Sequence, residues 1–131
     1  MPLLLDSFAL LRFLQREPGG ATVRDLLQQA LTDGAPLLLN VINFGEVLYT
    51  VQRRFGPEAR MKTFIAVRQM GILILPCPEE LVYRAAELKA VFAMSYADTF
   101  ALASAIEHRA TLVTGDPEFR QAEHLVKVRW I

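Results

Sequence analysis

The sequence predicts an α/β fold, a three-layer α/β/α sandwich around a mostly parallel sheet of about five strands. Three observations predict it. Short apolar runs alternate with longer stretches of helical apolar spacing. The runs are apolar at successive positions, as in strands buried on both faces. Gly and Pro punctuate the chain between most of these segments.

Leu3 to Leu5 reads as the first strand, and Ser7 to Arg16 as a helix stopped by Pro18-Gly19-Gly20. Thr22 to Leu31 is an amphipathic helix, with Val23, Leu26, Leu27, Ala30 and Leu31 on one side and Gly34 as its stop. Leu37 to Leu39 is the second strand. Asn43 to Arg54 is a helix broken by Gly56-Pro57, and Pro57 opens the next helix, Glu58 to Met70. Gly71 ends that helix, and Ile72 to Leu75 is the third strand. Pro78 to Phe92 and Ser95 to His108 are two further helices. Thr111 to Val113 and Val126 to Trp130 complete the sheet. No linker, repeat or low-complexity segment interrupts the chain, so residues 1–131 read as a single domain.

The bulk numbers narrow the function classes. The net charge is +0, so no overall basic field marks a nucleic-acid binder; acids in a cleft and bases at its rim would balance to the same value. Hydrophobic residues make up 53% of the chain, an excess that points to covered interfaces. Cys77, between Pro76 and Pro78, has no partner for an internal disulfide and fits a reducing compartment. His108 and His124 lack zinc-ligand spacing and read as surface or interface residues. The longest apolar stretch, Ala90 to Ile106, carries Ser95, Asp98, Thr99 and Ser104, too polar for a membrane span. With no basic leader before Asp6, the expected location is cytoplasmic.

Four acids stand where apolar runs give way to helices or turns: Asp6, Glu46, Asp98 and Asp116. Each has an ordinary explanation. Asp6 can cap the first helix; Asn43 with Glu46, and Ser95 with Asp98, match capping boxes; Asp116 before Pro117 matches an N-cap. Their surroundings argue for more. Asp98 lies among Met94, Tyr96, Ala97, Phe100 and Ala101, and Glu46 among Phe44, Val47, Leu48 and Tyr49. Carboxylates in apolar walls are costly unless something pairs with them. At the strand edge of an α/β sheet, several together would need a cation, and oxygen-only donors select hard ions such as Mg²⁺ or Mn²⁺.

These residues carry a family resemblance. The chain resembles PIN-domain ribonucleases, closest to VapC-type toxins of toxin–antitoxin systems. The matching motifs are Leu5-Asp6-Ser7-Phe8-Ala9-Leu10-Leu11, Asn43-Phe44-Gly45-Glu46-Val47, Ala97-Asp98-Thr99-Phe100-Ala101-Leu102-Ala103 and Leu112-Val113-Thr114-Gly115-Asp116-Pro117-Glu118-Phe119. The resemblance implies a PIN-like nuclease domain with Asp6, Glu46, Asp98 and Asp116 as catalytic, Mg²⁺- or Mn²⁺-binding acids. Thr114 would be an accessory hydroxyl, with Ser7 and Glu118 as further accessory residues. Phe8 replaces the Ser or Thr that many relatives carry two residues after the first acid, and Glu118 stands where some carry aspartate. The implied activity is metal-dependent hydrolysis of RNA, leaving 5′-phosphate and 3′-hydroxyl ends. A cognate antitoxin and a homodimer are the implied partners. The apolar spacing of Leu10, Leu11, Leu14, Leu26 and Leu27 marks either a groove for the antitoxin or two helices packed on each other. Substrate contacts are expected from Arg53, Arg54, Arg60 and Lys62. Three other readings stay open: a silent PIN-like binding module, a housekeeping RNA-processing nuclease, and a phosphoacceptor domain. The last lacks both paired acids after the first strand and a suitable lysine.

Overall fold

The structure is a computed structural model and describes residues 1–131. Five short strands form its sheet: β1 (Leu3–Leu5), β2 (Leu38–Asn40), β3 (Leu73–Leu75), β4 (Thr111–Thr114) and β5 (Val128–Trp130). All pairings are parallel and the order is β3-β2-β1-β4-β5. The six helices are α1 (Ser7–Leu14), α2 (Gly20–Asp33), α3 (Val41–Phe55), α4 (Pro57–Arg68), α5 (Glu79–Val91) and α6 (Tyr96–Glu107). A 3-10 helix, Pro117–Ala122, follows β4.

Strand alternation sorts the core into two layers. Leu4 pairs with Leu38 and Leu112, and these three face the layer made with Leu81, Leu88, Phe100 and Leu102 of α5 and α6. Leu5 pairs with Leu39 and Val113, and these face Leu10, Val23, Phe44, Val47 and Val67 of α1 to α4. Central strands covered on both sides have no polar face, which is why their sequences show no alternation.

The sheet agrees with the sequence expectation, and several boundaries move. The second helix starts at Gly20 rather than Thr22. Gly19, at φ 93°, turns the chain, and Gly20 lies so close to the Arg12 carbonyl that no Cβ would fit. The third helix starts at Val41 rather than Asn43. The cap is Asn40, the last residue of β2, whose side chain accepts from the Ile42 N–H at 2.8 Å. The first helix stops at Leu14, and Arg16 takes φ 53° on the way to the turn. Of the leucines expected to line a partner groove, Leu10 and Leu27 are buried core residues. Leu11, Leu14 and Leu26 pack partly against the same core, so α1 and α2 cover each other there.

The chain runs outward from β1 in two directions: β2 and β3 lie on one side, β4 and β5 on the other. In open α/β sheets ligands bind beyond the carboxyl ends of the strands at such a switch point, here β1 and β4. Asp6 follows β1 there, and Gly115-Asp116 follows β4.

Candidate metal centre

Each acid is held by its own local structure. Asp6 caps α1: its Oδ1 accepts from the Ala9 N–H at 2.8 Å, and its Oδ2 accepts from the Thr114 hydroxyl. Thr114, at the end of β4, in turn accepts the Asp116 N–H at 3.0 Å. Asp116 caps the 3-10 helix, accepting from the Glu118 N–H at 3.0 Å behind Pro117. Ser95 caps α6 by accepting the Asp98 N–H at 3.1 Å. The capping reading is therefore correct for Asp6 and Asp116, and for Ser95 ahead of Asp98. It does not compete with a ligand role, because an ionised carboxylate has about four acceptor sites and a cap uses one. Glu46 is the exception. With Asn40 as the cap, it lies on α3 in no capping box.

Asp98, Asp116 and Glu118 each offer an oxygen, and these oxygens lie within 4.8 Å of one another. Glu118, expected as an accessory residue, thus stands in the tightest group. Asp6 and Glu46 lie outside it but close enough to act on it. Burial pushes the Asp6 carboxyl from 3.8 up to about 7; the bonds from Thr114 and Ala9 oppose this, and the charges of Asp98 and Asp116 add to it. Burial likewise raises Asp98 to about 6, opposed by Ser95 and assisted by Asp116, Glu46 and Glu118. Asp6 is 1% exposed and Asp98 8%, so neither can shed its charge cost into water.

No basic side chain relieves this cluster. The four ion pairs of the chain are Arg12–Glu17, Arg24–Asp25, Lys62–Glu58 and Arg84–Glu87, and none involves the five acids. Glu46 Oε1 is buried with no hydrogen-bond partner. An all-oxygen set with an orphaned carboxylate oxygen fits a hard divalent cation.

Two asparagines support the site and were not read as such in the sequence. Asn40 is fully buried and donates from Nδ2 to Ser104 Oγ at 2.9 Å, tying the start of α3 to α6. Asn43, also fully buried, donates to the Ala97 carbonyl at 3.0 Å, immediately before Asp98, and its Oδ1 has no partner. The one sequence signal was an Asn closing each apolar approach to the Glu46 helix.

Phe8, the departure noted two residues after Asp6, packs against the turn that carries Asp116. Its ring lies over Gly115 so closely that an added Cβ would collide with it, and Ile131 O would stand 3.1 Å from that Cβ. A side chain at position 115 would have to displace the Phe8 ring. Ser7 is buried beside Asp6.

The basic residues expected at the substrate lie on α3 and α4. Arg53 is seven residues beyond Glu46, roughly 10 Å along the α3 axis. Arg53 stacks on Tyr49 at 4.9 Å and Arg54 on Phe55 at 5.0 Å, and Arg54 also donates to Gln15 Oε1 at 3.4 Å. Lys62 pairs with Glu58 at 3.5 Å, and Arg60 is half-buried. None of these four forms an ion pair with the clustered acids.

The PIN domain family matches this chain over residues 3–125. No curated protein matches its sequence. Among solved structures it is similar to VapBC2 from Rickettsia felis, bound to a DNA fragment from their promoter. That match has 15% identity and TM-score 0.74, and covers 100% of this chain and 99% of the other. It is similar to VapC20 from Mycobacterium tuberculosis, described as a sarcin-ricin loop cleaving toxin: 16% identity, TM-score 0.74, covering 97% and 98%. It is also similar to FitAcB from Neisseria gonorrhoeae: 22% identity, TM-score 0.68, covering 96% and 95%.

Proposed function

Because this chain belongs to the PIN domain family, we propose that it is a metal-dependent endoribonuclease, the toxin of a toxin–antitoxin pair, with residues 1–131 as one nuclease domain. The observation that carries this reading is the uncompensated acid cluster: three carboxylates within 4.8 Å of one another, two more beside them, and no ion pair to any. Such an arrangement costs folding energy that a purely structural role would not require.

Asp98, Asp116 and Glu118 would hold a divalent ion, Mg²⁺ or Mn²⁺, with Asp6 and Glu46 reaching it directly or through water. When bound, that ion supplies charge for the scissile phosphate and a water of lowered pKa. The chain's own side chains do the rest. Thr114 holds one Asp6 oxygen and receives the Asp116 N–H, which fixes those two acids relative to each other. Asn43 and Ser95 hold the first turn of α6 and so the direction of Asp98. The apolar walls, with Phe8 over Gly115, exclude water from one side of Asp6.

Single-stranded RNA suits the surface where Arg53 and Arg54 lie against aromatic rings and Arg60 and Lys62 follow on α4. The likeness to antitoxin-bound structures supports a cognate antitoxin as partner. Met61, Phe64 and Ile65, exposed together on α4, favour a homodimer. No helix is long and apolar enough to cross a membrane, and with the free Cys77 this favours a cytoplasmic location.

The test is cleavage of labelled tRNA, rRNA and mRNA fragments with Mg²⁺, with Mn²⁺ and with EDTA, beside an Asp98→Asn protein prepared identically. Metal-dependent cutting that the variant lacks is expected. Equal cutting by both proteins, or metal-independent cutting, overturns the reading.

A further inference from the structure

Asp98 and the Asp116–Glu118 pair stand on segments that the backbone does not join. No backbone hydrogen bond links the loop ahead of α6, Phe92 to Ser95, with residues 116–125. Carboxylates on the two segments repel each other in the absence of a cation, so their spacing depends on what else joins the segments.

Apolar contacts join them, Phe92 with the His124 ring and Met94 with Phe119 and Ala122 in one core, and one side chain adds the hydrogen bonds. Gln121, on the 3-10 helix, accepts from the Ala93 N–H at 3.1 Å and donates back to the Ala93 carbonyl at 3.1 Å. The same Nε2 also donates to the Glu118 carbonyl at 2.9 Å. The Ala93 loop leads into Ser95, the cap that orients Asp98. The Glu118 carbonyl belongs to the acid-bearing turn itself. Only a carboxamide serves both ends: the contact needs one acceptor and two donated hydrogens, which neither Glu nor Lys provides.

We propose that Gln121 is a positioning residue for the acid site, holding Asp98 at ligand distance from Asp116 and Glu118 before any cation arrives. This rests on the reading of those acids as metal ligands. Asn43 holds the Ala97 carbonyl from the α3 side, so the start of α6 is gripped by an amide on each flank. Gln121 lies on the surface, and its bonds close no core cavity. Its effect therefore falls on the spacing of the acids rather than on global folding.

The experiment is Mn²⁺ titration, followed by the electron paramagnetic resonance signal of the free ion. It compares wild type, Asp98→Asn, Gln121→Met of similar length, and Gln121→Asn, which keeps the amide one methylene short. Urea unfolding in EDTA is measured in parallel. Gln121→Met and Gln121→Asn are expected to bind Mn²⁺ roughly tenfold more weakly, with unfolding midpoints near wild type. Wild-type affinity in a folded Gln121 variant, while Asp98→Asn is weakened, overturns the proposal and leaves the metal reading standing. A loss of affinity matched by a proportionate loss of stability in EDTA also overturns it. Equal Mn²⁺ binding by wild type and Asp98→Asn overturns the metal reading and this proposal together. If Gln121→Met does not fold, Gln121→Asn decides on the same criteria.

Discussion

Replacing Asp6 with Asn should make the metal-free protein more stable at alkaline pH, even though it removes a member of the acid site. Asp6 is buried, and its carboxyl is raised from 3.8 to about 7. Between those values the folded state holds a proton that the unfolded state has lost, so unfolding becomes easier as pH rises. The stability is fully present below 3.8 and is lost progressively until about pH 7. The difference is worth on the order of 4 kcal/mol, a large share of the 5 to 15 kcal/mol, roughly, that holds a typical domain together. Asp98, raised to about 6, acts in the same direction. The two contributions do not simply sum, because the Asp98 charge is itself one cause of the Asp6 shift. Asn has the shape of Asp, can accept the Ala9 N–H, and can turn its NH₂ toward Thr114 Oγ1. Urea unfolding in EDTA should therefore show Asp6→Asn about 2–4 kcal/mol more stable than wild type near pH 8, with a gap about half as large near pH 5. Saturating Mn²⁺ should stabilise wild type, by about 2.7 kcal/mol at a hundredfold excess over the dissociation constant, and stabilise the variant less at the same concentration. A wild type as stable near pH 8 as near pH 5, with no advantage for the variant, would refute the reasoning.

Three further outcomes follow from the geometry. Thr114→Ala removes the donor to Asp6 and the acceptor of the Asp116 N–H; it should cost about 1–3 kcal/mol in chemical denaturation and lower metal-dependent RNA cleavage, and a variant with full activity removes Thr114 from the site. Gly115→Ala forces a methyl into Phe8 and Ile131, so it should destabilise by about 1–3 kcal/mol. Adding Phe8→Ala should recover part of that loss, and strictly additive thermal shifts would show that Phe8 is not the obstacle. Asn40→Ala loses the cap of α3 and leaves Ser104 without its donor, an expected loss of about 2–3 kcal/mol; a melting temperature equal to wild type would contradict the role given to Asn40.

The sheet was legible because its strands are short apolar runs with punctuation at most of their ends, and the four-acid pattern because each acid interrupts apolar sequence. What escaped was decided by contacts between distant segments. Asn40 closes β2 and caps α3 at once, whereas the sequence offered Asn43 and Glu46 as a convincing local box. Asn43 instead reaches Ala97, 54 residues away. Glu118 was expected only as an accessory residue, and the 3-10 helix sets it in one group with Asp98 and Asp116. The arginines of α3 are basic and near Glu46 in sequence, but they stack on Tyr49 and Phe55 and form no ion pair with the clustered acids. Leu10 and Leu27 show a groove-like spacing that α1 and α2 satisfy by packing on each other.

The strand order also sets when the site can come into being during synthesis. β1 is made first, yet its neighbour β4 comes more than a hundred residues later. Until Thr114 takes its place beside β1, Asp6 lacks the hydroxyl that fixes its second oxygen. Until the following turn emerges, Asp98 has neither Asp116 nor Glu118 near it. A growing chain still attached to the ribosome therefore carries its acids as scattered, unassembled parts. Under the ribonuclease reading proposed above, this order of assembly would keep the translating machine out of reach of its own half-made product.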